Sequence, residues 1–282
     1  MTTQETHLTP TTDTPCLLRE TDARGVATLT LNRPQALNAL SDEMLAALQR
    51  ELDAIARDER VRAVVIAGTG KAFCAGHSLH EMRADPSQAR AEELFARCTR
   101  VMLALQRLPV PVIARVHAVA TAAGCQLVAM CDLAVAADSA RFAVSGVNLG
   151  IFCSTPSVAL SRNVGRKQAM EMLLTGDFIS AEEARARGQV NRVVPLERLD
   201  DEVQALLARI LAKPRAAIAL GKTLFYKQAE TGIEQAYALA GQAMACNLMD
   251  PAALEGIQAF IDKRAPDWPA EAGIPPAGAT VR

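Results

Sequence analysis

Apolar and polar side chains alternate through Val26-Ala-Thr-Leu-Thr-Leu31, which predicts a half-buried strand, and Asn32-Arg-Pro34 stops it. The period then changes. Met44, Leu45, Leu48, Leu52 and Ile55 recur at helical spacing behind Ser41, an N-cap residue followed by Asp42 and Glu43 in the first turn. An apolar run over 62–67 predicts a second strand closed by Gly68-Thr-Gly70, and 73–78 follows as a glycine-containing loop. Residues 82–88 read as a mobile surface stretch before a helix over 91–108. A third strand over 112–116, a short apolar helix opened by Ala122-Ala-Gly-Cys-Gln126 and running to Cys131, and a fourth strand over 133–136 complete the first half. Strand, small-residue turn and helix recur, an order that predicts an α/β core around a parallel sheet.

The second half is helical. Ser180-Ala-Glu-Glu183 has capping-box spacing, Pro214 stands at a helix start, and Asp250-Pro251 joins a cap to a proline in the first turn. These signals place helices near 201–212, 214–229, 232–248 and 250–264. From Pro266 onward the Pro/Ala/Gly-rich tail reads as irregular.

Composition narrows the classes. The 282 residues are 50% apolar but 4% aromatic, and 53 are alanine, which predicts a helix-rich core of small side chains. Lys and Arg total 30 against 31 Asp and Glu, and that balance counts against a nucleic-acid partner, which needs a basic surface. Seven cysteines with no C-x-x-C pair are expected to be reduced and mostly buried in a cytoplasmic compartment. The polar, Thr-rich leader over 1–16 has neither the apolar run of a signal peptide nor the arginines of a transit peptide. The most apolar stretch, 118–136, is interrupted by Gln126 and Asp132 and reads as buried core rather than a membrane span.

Two turns are candidates for chemistry: Cys74-Ala-Gly-His-Ser78 and Thr121-Ala-Ala-Gly-Cys125. Each sets backbone N–H groups beside small residues at a strand end. Converging amides stabilise a developing oxyanion, although small-residue turns are also common punctuation. In order along the chain, Leu31-Asn-Arg-Pro-Gln-Ala-Leu-Asn-Ala-Leu40, Ala63-Val-Val-Ile-Ala-Gly, Ala72-Phe-Cys-Ala-Gly-His, Ala122-Ala-Gly-Cys-Gln-Leu and Cys131-Asp-Leu resemble the crotonase superfamily of enoyl-CoA hydratases and isomerases. The similarity runs from about Leu17 to Pro269. Arg115-Val-His-Ala-Val-Ala-Thr-Ala-Ala-Gly-Cys-Gln-Leu and Gly150-Ile-Phe-Cys-Ser-Thr-Pro156 resemble the enoyl-CoA hydratase domain-containing subgroup, mitochondrial in animals, and the absent transit peptide suggests a bacterial cytoplasmic relative.

The resemblance implies an α/β crotonase-like spiral of ββα turns over 17–198, a C-terminal helical trimerisation part over 199–265, and a homotrimer or hexamer. It implies that an acyl-CoA thioester carbonyl lies between the backbone N–H groups of His77 and Ala123, beside Gly76 and Gly124. Ala75 and His77 would cradle the coenzyme's adenine. Arg33 would meet a phosphate, although an exposed arginine needs no ligand to explain it. Coenzyme A enters as part of the substrate, and no separate cofactor or metal is expected. His77 and His80 stand three apart without further ligands in register.

The family pattern breaks at the acid and base. Two glutamates serve in active members, and here those positions hold Gln126 and Gly146. A glutamine amide cannot accept a proton near neutral pH, and glycine offers nothing beyond space. The reading is an acyl-CoA-binding protein of fatty-acid metabolism, lyase-like by family, with hydration weak or absent. Two alternatives stay open: a non-catalytic acyl-CoA binder or regulator, and a thioesterase or acyl-transfer enzyme using Ser154 or Cys153. Ser154 aligns with an aspartate of dehalogenase and dienoyl-CoA isomerase relatives, but Ser154 or Thr155 would equally cap a helix starting near Pro156.

Overall fold

The computed structural model describes residues 14–268. The leader over 1–16 and the tail over 266–282 lie, apart from three residues each, outside that range. Antiparallel β1 (Leu17–Thr21) and β2 (Val26–Leu31) open the chain, and α1 (Asp42–Arg57) follows, its N-cap Ser41 accepting the Met44 N–H. Three ββα turns then wind in succession. β3 (Ala63–Gly68) and β4 (Ala72–Cys74) lead into α2 (Leu79–Ala84) and α3 (Gln88–Arg107). β5 (Val112–Val116) and β6 (Val119–Thr121) lead into α4 (Ala123–Met130). β7 (Leu133–Ala137) and β8 (Arg141–Ala143) lead into α5 (Ser154–Leu160) and α6 (Arg166–Thr175). After these come β9 (Ile179–Ser180), α7 (Ala181–Ala186) and β10 (Arg192–Val194).

The first strand of each turn enters a six-stranded sheet ordered β1-β2-β3-β5-β7-β10, and the second enters a four-stranded sheet ordered β4-β6-β8-β9. Pairing is parallel except at the β1 and β9 edges. This is the expected spiral. The continuous apolar run of β3 follows from burial on both faces. Val64 and Ile66 pack into the main core with α1 and α3, while Ala63 and Val65 pack against Leu199, Val203 and Leu207 of α8 (Leu199–Leu211).

Helices α9 (Arg215–Ala229), α10 (Ile233–Leu248) and α11 (Pro251–Ile261) complete the described chain. Helix α9 is tied to the spiral by one buried network. Lys222 Nζ donates to Asp132 Oδ2 (2.7 Å) and to the Leu105 and Val110 carbonyls (2.9 Å each), and Tyr226 Oη donates to Asp132 Oδ1 (2.8 Å). No helix among the described residues is long and apolar enough to cross a membrane.

Three local expectations are corrected. Helix α2 ends inside the stretch 82–88 read as mobile surface, because Ser78 caps it by accepting the Glu81 N–H. Ser87 caps α3, so that helix begins at Gln88. Helix α5 begins at Ser154 rather than near Pro156, and Cys153 stands at its N-cap without capping the helix through its side chain, so neither Ser154 nor Thr155 is the cap. Strands β4, β6, β8, β9 and β10 have two or three residues each and escape any periodicity test.

Candidate active site

Parallel pairing of β4 with β6, with Cys74 opposite Ala120, sets the turns that follow these strands side by side. Close approach requires two glycines. Gly76 has φ +95°, and a Cβ on it would stand 2.9 Å from the Ala122 Cβ and 3.3 Å from the Ala123 nitrogen. A Cβ on Gly124 would stand 2.1 Å from the Cys74 carbonyl oxygen. Between them Ala122 adopts φ 51°, ψ −121°, a conformation that costs a side-chain-bearing residue about 1–3 kcal/mol. Its N–H donates to the Ala143 carbonyl at 3.0 Å and anchors the turn. The His77 and Ala123 N–H groups donate to no acceptor among the described residues. Ala123 opens α4, where an N–H has no intrahelical partner and the helix dipole favours negative charge.

A cavity of about 290 Å³ opens beside these two residues. Leu79 and Met82 of α2, Phe95 of α3 and residues from Ser145 to Pro156 form its other walls, and no lining side chain carries a formal charge at neutral pH. Leu79, Leu149, Ile151 and Phe152 line it while remaining 44–61% exposed, which marks an apolar mouth. The His77 Nδ1 lies 3.4 Å from the Leu40 carbonyl oxygen, an arrangement that places the imidazole proton on Nδ1. The ring meets Phe95 edge-on at 5.7 Å, and Nε2 is buried without a partner. Burial pushes the His77 pKa below its ordinary value, so the ring is neutral at pH 7. Ser145, also in the lining, has its Oγ 2.8 Å from the Thr121 Oγ1.

Of the residues singled out from sequence, Ala75, His77, Ala123, Gly146, Cys153 and Ser154 meet in this cavity. Gln126 sits on α4, 6% exposed and outside the lining, with Oε1 unpartnered. Gly146 is closely packed on the side where a Cβ would stand. A Cβ there would stand 2.5 Å from the Ile151 carbonyl oxygen and 2.8 Å from Cys153 Sγ, and the Gly146 N–H donates to that sulfur at 3.3 Å. Ser154 Oγ donates to the Phe152 carbonyl (3.3 Å) and hydrogen-bonds to no histidine or carboxylate. Arg33 lies outside the lining, held by Glu43 at 3.0 Å and by the Thr14 and Asn32 carbonyls. Among the described residues no three His, Cys, Asp or Glu side chains are grouped to hold a metal ion. Phe95 and Ser145 carried no signal in the sequence, because nothing in their local pattern says which distant segments converge.

The sequence profile of a family described as enoyl-CoA hydratase/isomerase matches residues 21–271. The chain belongs to the enoyl-CoA hydratase/isomerase family. Within this family it is 46% identical over 244 residues to "Enoyl-CoA hydratase domain-containing protein 3, mitochondrial" of Xenopus laevis, covering 86% of this chain and 83% of that protein. The crystal structure of an enoyl-CoA hydratase of Mycobacterium smegmatis matches with a TM-score of 0.90 at 68% identity, over 90% of this chain and 99% of that one. The structure of human enoyl-CoA hydratase domain-containing protein 3 matches with a TM-score of 0.86 at 42% identity, over 90% and 100%. The spiral of this enoyl-CoA hydratase/isomerase family member is therefore the crotonase fold.

Proposed function

We propose that this protein binds an acyl-CoA thioester with its carbonyl oxygen between the His77 and Ala123 N–H groups, and that it hydrates enoyl-CoA weakly or not at all. The carrying observation is that two unengaged N–H groups stand side by side in an uncharged, apolar cavity. A thioester carbonyl gains negative charge as its neighbouring carbons react, and fixed N–H dipoles in a low-dielectric site stabilise it. Hydration also requires positioned proton transfer. No carboxylate among the described residues lines the cavity, the Gln126 amide takes no proton at neutral pH, and each missing acid or base costs about 10²–10⁴-fold.

A non-catalytic binder or regulator is the limit of this reading in which no turnover remains. Hydrolysis through Ser154 is less well supported, because a serine nucleophile needs an adjacent base and Ser154 Oγ is turned to the Phe152 carbonyl. Contact between Arg33 and a coenzyme phosphate would require exchange of its Glu43 partner. The proposal includes a role in acyl-CoA metabolism without a cofactor beyond the substrate's coenzyme A. It also includes residence in the cytoplasm, where seven free cysteines suit a reducing medium, and assembly as a trimer or hexamer through the C-terminal helices.

Calorimetric titration with butyryl-CoA is expected to show micromolar binding that Gly76→Ala abolishes, since the added Cβ strains a residue at positive φ and pushes the first donor turn away from Ala122 and Ala123 of the second. Crotonyl-CoA hydration, followed by loss of the enoyl absorbance, is expected to be at least about 100-fold below that of a family member with both glutamates. Hydration at full rate, or coenzyme A release that disappears in Ser154→Ala, would overturn the reading.

A further inference from the structure

Thioester binding alone leaves one reactive group in the cavity without a task. Cys153 lines the cavity, accepts the Gly146 N–H at 3.3 Å, and holds Sγ 2.8 Å from where a Cβ on residue 146 would stand. It differs from the packing thiols Cys74 and Cys125, which lie outside the lining and which burial pushes up to about 12. The unengaged N–H pair of His77 and Ala123 is a separate sign that an electron-rich oxygen binds in the same space. An acyl group whose carbonyl occupies that pair sends its α- and β-carbons into the cavity that Cys153 lines.

We infer that Cys153 adds reversibly to the β-carbon of α,β-unsaturated acyl-CoA thioesters, so that the protein holds enoyl-CoA as a covalent thioether. The inference rests on the thioester-binding reading above. In the addition, the sulfur electron pair forms the Sγ–Cβ bond, the alkene π pair shifts toward the carbonyl carbon, and the carbonyl π pair moves onto oxygen between the two N–H groups. The thiol first gives its proton to solvent water, and one proton returns from solvent to the α-carbon as the carbonyl re-forms, so the protons balance. The bond to the coenzyme sulfur stays intact, nothing is oxidised or reduced overall, and elimination reverses the step. Thr121 and Ser145 share one hydrogen bond, which leaves one O–H of the pair available beside Gly146 to relay that proton. A saturated acyl-CoA has no α,β double bond, so its β-carbon is not electrophilic and cannot accept the thiol. Burial raises the Cys153 thiol above its ordinary value, so addition quickens as the pH rises.

The test is intact-protein mass spectrometry of the wild-type chain with crotonyl-CoA, with butyryl-CoA as control, beside calorimetric titration of the same protein with butyryl-CoA. The expected result is a mass gain of one whole crotonyl-CoA, none with butyryl-CoA, mapped by peptide digestion to Cys153. Formation should be roughly tenfold faster per pH unit while the thiol remains mostly protonated. The adduct should be lost in Cys153→Ser and in Cys153→Ala, with thermal melts reporting whether each is folded; the wild-type peptide map depends on neither variant. A gain of the acyl mass alone, an adduct at another cysteine, or no adduct overturns the inference. Butyryl-CoA binding without any adduct removes the covalent step and spares the thioester-binding reading, whereas failure of butyryl-CoA to bind removes both.

Discussion

Position 146 carries no side chain because the main chain of Ile151 and the sulfur of Cys153 already occupy the space a Cβ would need. A glutamate placed there forces residues 151–153 to move, and such overpacking costs about 1–3 kcal/mol. Gly146→Glu, alone or with Gln126→Glu, is therefore expected to lower the melting temperature and to leave crotonyl-CoA hydration no faster than in the wild type. His77 gives a second prediction at this scale. Its folded pKa lies below the ordinary value because burial disfavours the cation, and His117 is shifted the same way for the same first reason. The unfolded chain thus binds these protons first, so this contribution is complete above about pH 6.5 and is lost as the pH falls below it. Urea midpoints measured from pH 7.5 to 5.5 should decline, and His77→Gln should flatten the decline.

Helix α9 is held to the spiral at Asp132, between α4 and β7. Lys222 and Asp132 expose only 7% and 16% of their side chains, and the ammonium meets three acceptors. Lys222→Met removes the cation, leaving the buried Asp132 carboxylate uncompensated in charge beside its Tyr226 and Val112 donors and two carbonyls without their ammonium, a change that costs about 3–5 kcal/mol. A guanidinium midpoint within experimental error of the wild type would contradict that account. In the sequence Asp132 only interrupts an apolar stretch, whereas Lys222 and Tyr226, which hold it, lie on a helix some ninety residues later, a pairing that no local pattern encodes. Helix caps were more legible. Ser41, Ser180 and Asp250 all cap as their spacing predicts, because a cap is a contact between residues two or three apart. The α5 start differs from its expected place because Cys153, one residue before the expected hydroxyl caps, takes the N-cap position.

The described chain as a whole leaves large apolar side chains uncovered on its last three helices. Phe225, Ile233, Tyr237, Met244 and Phe260 are 61–86% exposed, more apolar surface than an isolated soluble chain usually presents. If these helices associate as proposed, sedimentation should give a trimer or hexamer for the wild type and a smaller species for Phe260→Glu. The local sequence already determined the longer strands and helices, the two small-residue turns and the lack of a carboxylate at positions 126 and 146, since each depends on residues near one another in the chain. Only the tertiary structure decided that Gly76 and Gly124 let two unengaged N–H groups stand together, and that a thiol rather than open space meets Gly146. Those outcomes depend on ångström-scale approach between segments that parallel strand pairing brings side by side, and steric contact of that kind leaves no periodic trace in the chain.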